Sequence, residues 1–443
     1  MKKWLSQLPN AFVVHWFRRD LRWQDNRALH AAMNSGHPVL PLFIFDPNIL
    51  SKLNSRKDTR VQFLQAQVAK LDQRARKHGS GLLVVHRDPA EVFQELLESG
   101  KLLGVFTNED YEPYARMRDE AVHAALAPSN IPFQKFTDHV VQAPGTVTKP
   151  DGGTYTVFTP FSKRWKANLK DEHLDDVPSE DGLGQLVPWH ALELPSLEDL
   201  GFSRSDMTIP QLDIDVETLR NYAHRRDIPG IKGTTRISVH LRFGTISIRQ
   251  AAKLGIQHSE KWLNELIWRD FYQSILMAFP QCVDAAVKPQ YDRIPWRFDE
   301  EEFDAWKNGM TGYPMVDAGM RELKATGFMH NRVRMVVASF LCKHLLMDWR
   351  LGERYFAEKL LDFELASNVG GWQWASGSGC DAAPYFRVFN PTSQLEKFDP
   401  ELTYVKQWIP EWGTERYPSP IVDHKFARQR ALDTYKSALS QPA

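Results

Sequence analysis

Over the first ~140 residues, apolar and polar positions fall into two alternating patterns. Short apolar runs at residues 12–17, 38–45, 81–86 and 104–107 have the length of strands. Between them, residues 26–35, 60–79, 89–99 and 114–126 space their apolar side chains three and four apart, as an amphipathic helix does. Strands apolar on both faces and separated by helices predict a parallel sheet covered on both sides, an α/β domain of Rossmann-like layout. No Gly-x-Gly-x-x-Gly follows the first run, which argues against a nicotinamide dinucleotide there.

From 143 to 210 the periodicity breaks down. Pro144-Gly145, Asp151-Gly152-Gly153 and Ser179-Glu180-Asp181-Gly182 mark a long connector. Its Trp and Leu content is too high for a free linker, so it is expected to wrap a surface. Beyond 211 helical spacing dominates to about residue 412, which predicts an all-α second domain over 211–443. Three regions follow: 1–142, 143–210 and 211–443.

Composition narrows the class. Formal net charge is zero, so any nucleic-acid site has to be a local basic patch on a neutral body. No run of about 20 apolar residues exists to span a membrane, and the first residues lack the apolar core of a secretory signal. Cys282, Cys342 and Cys380 lie far apart, which argues against disulfides or a zinc site and suits a reducing cytoplasm. Of 14 tryptophans, nine lie from Trp262 onward, more than packing usually asks for, since each indole N–H needs a partner.

Several segments set polar groups inside core-like sequence. Along 261–272, helical spacing puts Trp262, Glu265, Trp268, Arg269 and Tyr272 on one broad stripe. A carboxylate between indoles is costly to bury unless it is paired. The plain reading is a Glu265–Arg269 pair one turn apart. Asn331, Arg334 and Met335 share a face of a helix that then turns wholly apolar; Arg334 there needs an acceptor, and Asp362 is a candidate. Alternatively these polar residues face water and the Met fills core. Residues 233–238, Gly-Thr-Thr-Arg-Ile-Ser, offer hydroxyls and N–H groups that suit a phosphate, or ordinary helix caps. Trp372 and Trp374 point apart on a helix, so they serve different surroundings.

Seven collinear motifs resemble the photolyase/cryptochrome family over nearly the whole chain. They are residues 16–22 with Asp25-Asn26, 233–238, 262–272, 312–320, 329–335, 370–374 and 381–387. Within the family the chain looks most like class I photolyases, which repair cyclobutane pyrimidine dimers in DNA with light. The resemblance implies an N-terminal α/β domain and a helical domain holding one non-covalent FAD. Tyr222, Thr234, Thr235, Arg236, Ile237 and Ser238 would hold its phosphates, and Arg334 with Asp362 would flank the flavin ring. Asn368 would sit beside flavin N5, where plant-type cryptochromes carry an acid. Trp262, Arg269 and Glu364 complete the expected cofactor contacts, Glu364 standing where class I enzymes commonly have Asp.

Toward damaged DNA, the resemblance implies that Glu265 and Asn331 hydrogen-bond the dimer's base edges. Trp268 and Trp374 would stack on it and Met335 would pack against it. Arg226, Arg332 and Arg387 would contact phosphates. Trp372, Trp349 and Trp296 match the family's electron relay. A second, light-gathering chromophore would sit in the N-terminal domain. Tyr114-Ala115 replaces the Asn-Glu of folate-using relatives, so folate is disfavoured. The expected partner is UV-damaged DNA, bound by a monomer. A blue-light cryptochrome and a (6-4) photolyase are the alternatives; Asn368 and Met335 speak against each in turn.

Overall fold

The four apolar runs form strands β1 (Phe12–Phe17), β2 (Val39–Phe45), β3 (Leu83–His86) and β4 (Leu102–Asn108) in the computed structural model, which describes residues 5–189, 192–382 and 384–440. Ala383, inside the 381–387 motif, lies outside the described residues. A fifth strand, β5 (Phe133–Phe136), goes beyond the sequence expectation. It reads Phe-Gln-Lys-Phe with the two middle residues exposed, and it lies at the sheet edge, so it has no apolar run to reveal it. All pairings are parallel, in the order β3-β2-β1-β4-β5.

Helices α1 (Arg27–Met33), α2 (Pro47–Leu50), α3 (Thr59–Arg76), α4 (Pro89–Glu98) and α5 (Pro113–Leu126) occupy the crossovers. The twofold period of β1 sorts its side chains between two cores. Val13 and Phe17 pack with residues of α1 and α3, while Phe12, Val14 and Trp16 pack with α4 and α5. Side chains at the helix starts satisfy free N–H groups: Asn26, Asp46, Asp58 and Asp88 each accept one at the head of α1 to α4.

The chain divides into two compact units. The first comprises Met1–Ala143, Leu169–Leu212 and Ile237–Leu254; the second comprises Pro144–Asn168, Asp213–Arg236 and Gly255–Ala443. The stretch read as a connector is thus shared between them, and 237–254 joins the α/β unit. Charge ties it there. The buried Arg249 guanidinium donates to Asp25 at 2.9 Å and to Asp138 at 2.6 Å, and Arg22 also pairs with Asp138.

The second unit is helical. One apolar core joins the helices Pro314–Thr326, Asn331–Ser339, Trp349–Lys359 and Leu365–Ser376. The apolar run after Asn331 is not a single α-helix: it passes into a π-helical turn, Phe340–His344, whose residues are all buried. The three cysteines are free and buried. Among the described residues, no helix is long and apolar enough to cross a membrane, and no three His, Cys, Asp or Glu side chains are grouped to hold a metal.

Burial alone would raise the Asp138 carboxyl, but Arg22 and Arg249 outweigh it and hold it below the ordinary carboxylate value. Asp138→Ala is expected to cost about 3–5 kcal/mol of stability, as breaking a buried pair does. A depressed folded pKa contributes stability above the unfolded value and loses it as pH falls through the folded one. The wild-type advantage in urea unfolding should therefore shrink in acid; a difference unchanged with pH would contradict the pairing.

Candidate functional site

The helix Glu260–Ala278 starts at Ser259, whose hydroxyl accepts the Trp262 N–H. The expected Glu265–Arg269 pair does not form. Glu265 accepts from Arg226, in the Asp213–Arg236 segment, and Arg269 donates to Glu364 at 3.1 Å. Partners from outside the helix satisfy both charges at once, whereas a pair within one helix face would be water-exposed and weak. Burial lifts the Glu265 carboxyl above the ordinary carboxylate value, with Arg226 pulling against it. Tyr222 is buried, and the Arg226 guanidinium lies 5.4 Å from its ring centre. Trp268 stacks face to face on Phe158, with centroids 3.7 Å apart and planes at 3°, so one face of the indole is already covered.

The 233–236 turn is pressed against the preceding segment. A Cβ at Gly233 would collide with the Arg225 carbonyl, so only glycine fits. Arg236 has φ 53°, a left-handed conformation that non-glycine residues seldom adopt outside constrained sites. Its half-exposed guanidinium stands 3.7 Å from Glu322 and 4.7 Å from the Phe328 ring centre. The Thr235 hydroxyl accepts the Trp262 indole N–H at 3.3 Å, and Thr234 is half-buried beside it in sequence. Ile237 and Ser238 fall in the first unit. There Ile237 is buried, and Ser238 begins the helix Ser238–Phe243 without capping it.

Arg334 pairs with Asp362: Nη2 donates to both carboxylate oxygens, at 2.9 and 3.1 Å, and Nε to the Met329 carbonyl at 2.7 Å. Arg332 donates to Asp227 at 2.9 Å and lies over the Phe398 ring. Asn331 and Arg387 are exposed; Met335 is half-buried. Trp374 is half-buried near Phe389, while Trp372 is buried against Phe356 and Trp306. Trp349 is buried and Trp296 half-buried. The two expected phosphate contacts Arg226 and Arg332 thus already have carboxylate partners.

Sequence reasoning missed the groups that orient this set. Asn368 spends its amide nitrogen on Glu353, donating to the carbonyl at 3.0 Å and to Oε1 at 2.8 Å, which leaves its carbonyl oxygen as the acceptor. Buried Glu322 accepts the Tyr404 hydroxyl at 2.6 Å and the His330 N–H at 3.2 Å. His330 caps the helix Asn331–Ser339 by accepting the Arg332 N–H at Nδ1, so its Nε2 carries the proton. That Nε2 is buried without a partner, and burial pushes the imidazole pKa down to about 4, so it is a neutral donor. A His one residue before an Asn-Arg-x-Arg helix start was the only local signal. An orphaned buried donor close to the Arg236 and Arg334 guanidiniums suits a polar, anionic group such as FAD.

Comparison with known proteins agrees along the chain. Residues 262–414 match the family described as the FAD binding domain of DNA photolyase, and residues 13–180 match that described as DNA photolyase. A Synechococcus protein named deoxyribodipyrimidine photo-lyase is 36% identical, covering 97% of this chain and 98% of its own. The crystal structure of a bacterial class III photolyase from Agrobacterium tumefaciens superposes with a TM-score of 0.87 at 33% identity, over 99% of this chain and 100% of that one. An archaeal photolyase from Sulfolobus tokodaii, solved with two FAD molecules, gives 0.78 at 32% identity, over 96% and 99%.

Trp372 packs directly on Gly352, and a Cβ there would collide with the indole, coming within 2.0 Å of its nearest carbon. Gly352→Ala is expected to destabilise the protein by about 1–3 kcal/mol through overpacking. Urea unfolding checks this, and a variant as stable as wild type would show that the two helices are free to part.

Proposed function

The chain belongs to the DNA photolyase family, and on that premise we propose that it is a light-driven deoxyribodipyrimidine photo-lyase acting on cyclobutane pyrimidine dimers in DNA. When bound, reduced FAD supplies the photoexcited electron. The observation that carries the reading is Asn368, whose amide nitrogen is occupied by Glu353, so that its carbonyl oxygen is offered to a protonated ring nitrogen. An acid at this position would bring a charge instead.

Around it each residue has one task. Arg334, neutralised by Asp362, would lie against the flavin ring; Thr234, Thr235 and Arg236 would hold phosphate oxygens, with Tyr222 and Trp262 packing beside them. Arg269 and Glu364 would fix the polar edge of the ring. Glu265 would leave Arg226 to hydrogen-bond the dimer's base edges. Asn331 would share that task. The open faces of Trp268 and Trp374, with Met335, would receive the extruded bases. Arg226, Arg332 and Arg387 would exchange carboxylate or water for phosphate. Trp372, Trp349 and Trp296 would return electrons from the surface. The helical unit would be catalytic. The α/β unit would take a second chromophore, as the Sulfolobus protein's second FAD suggests. The protein would work as a monomer in the cytoplasm.

Holding reduced FAD under blue light, the protein should split thymine dimers in an oligonucleotide, and not in the dark; failure to do so when illuminated would falsify the reading. Glu265→Ala should lower repair yield at least severalfold while flavin absorbance stays at the wild-type level. Trp349→Phe should slow photoreduction of oxidised enzyme by an order of magnitude or more, about 1.4 kcal/mol of barrier per tenfold. Chemically reduced Trp349→Phe should still repair at wild-type yield, and loss of both properties would remove the relay assignment.

A further inference from the structure

Phe158 and Trp268 lie ring on ring, with centroids 3.7 Å apart and planes at 3°. Left to themselves, aromatic pairs avoid that arrangement. Electron-rich faces repel when superposed, and rings prefer to be offset or edge-on, with centroids roughly 4.5–7 Å apart. The other rings that touch Trp268 follow this preference. Phe271 meets it at 83° and 5.6 Å, and Tyr272 is tilted against it at 33° and 5.4 Å. The stack with Phe158 is therefore imposed by the structure around it.

What imposes it lies on both sides of Phe158 in the chain. Before it, Asp381 grips the backbone twice: its N–H donates to the Thr156 carbonyl at 2.8 Å, and its carboxylate accepts the Phe158 N–H at 3.1 Å. Asp381 does so at φ 49°, a left-handed conformation that aspartate tolerates better than most residues. After it, the helix Phe158–Asn168 is fastened to the helix Glu260–Ala278. The buried Trp165 donates its indole N–H to Asp270 at 2.9 Å, Phe161 packs on Phe271, and Lys166 pairs with Glu260 at 2.6 Å. Phe158 sits between these two anchors and cannot swing away from the indole.

We propose that Phe158 is a positioning residue for the lesion: it fixes the plane of Trp268 before DNA arrives, and Asp381 locks Phe158 in place. This rests on the reading of Trp268 as a surface for the extruded dimer. In a cyclobutane dimer C5 and C6 of both pyrimidines are saturated, so the rings are no longer flat and are inclined to one another. An indole free to turn would lie as well on an undamaged base, whose whole face is planar. An indole held in one plane can match the inclined ring of the dimer and cannot turn to suit a flat base. Its freedom is also given up on folding and not on binding, which favours the complex. The segment read from sequence as part of a connector thus supplies the back layer of a three-layer stack: Phe158, Trp268 and the damaged base.

The test is the affinity of the FAD-loaded protein, in the dark, for one oligonucleotide with and without a thymine dimer. Phe158→Ala should weaken binding of the damaged strand about three- to tenfold, the scale of a side chain that has to be ordered on binding. Binding of the undamaged strand, carried by phosphate contacts, should stay within about twofold of wild type. Together with unchanged flavin absorbance, that shows the variant to be folded. Phe158→Tyr, which keeps a flat ring, should hold the wild-type ratio of the two affinities. Asp381→Ala should lower the ratio, and Asp381→Asn, which keeps an acceptor for the Phe158 N–H, should restore it. In a Trp268→Ala background, Phe158→Ala should have no further effect.

Two results would overturn the proposal: a wild-type ratio in Phe158→Ala where Trp268→Ala lowers it, or a loss from Phe158→Ala that is as large without the indole as with it. If Trp268→Ala alone left the ratio unchanged, the stacking role of Trp268 would fall, and the proposal with it.

Discussion

Two contacts one turn apart hold the helix Leu365–Ser376 against the helix Trp349–Lys359. Trp372 rests on Gly352, and Asn368 is bound by Glu353. Adjacent residues on one helix thus receive side chains four apart on the other, which leaves no room for the pair to slide. The first contact brings Trp372 against the helix that Trp349 begins. The second decides which end of the Asn368 amide faces outward. Electron supply and flavin-side chemistry would both depend on the missing side chain at Gly352.

Charge follows a comparable rule. The chain is neutral overall, yet the site residues are heavily charged, and each cation that enters a poorly solvated place arrives with an acid. Arg226 with Glu265, Arg269 with Glu364, Arg332 with Asp227 and Arg334 with Asp362 are pairs between distant parts of the chain. Such pairs set residues in place before any ligand arrives. For Arg226 and Arg332, meeting a phosphate would be an exchange of one anion for another, which costs less than desolvating a free guanidinium. Lys343 departs from this rule: carbonyls and an aromatic face surround it.

The α/β layout was legible because period and length are local. Residues 12–17 alternate between two cores as their pattern requires, and the helices between strands carry their own caps. β5 escaped because an edge strand needs no apolar run. The helical half and the tryptophan surplus could be read from composition and spacing, as could the need of Arg334 for an acceptor; that the acceptor is Asp362 follows from the fold.

What the sequence by itself determined, then, was which segments bury a face and which groups are too polar to be buried alone. Only the tertiary structure decided who their partners are: Glu265 bonds Arg226 rather than the residue one turn away, 237–254 joins the α/β unit, and a π-helical turn rotates Lys343 inward over Tyr435. The reason is physical. Periodicity acts over a few residues and is written in them, whereas a buried charge takes whatever partner the packing of distant segments brings within reach.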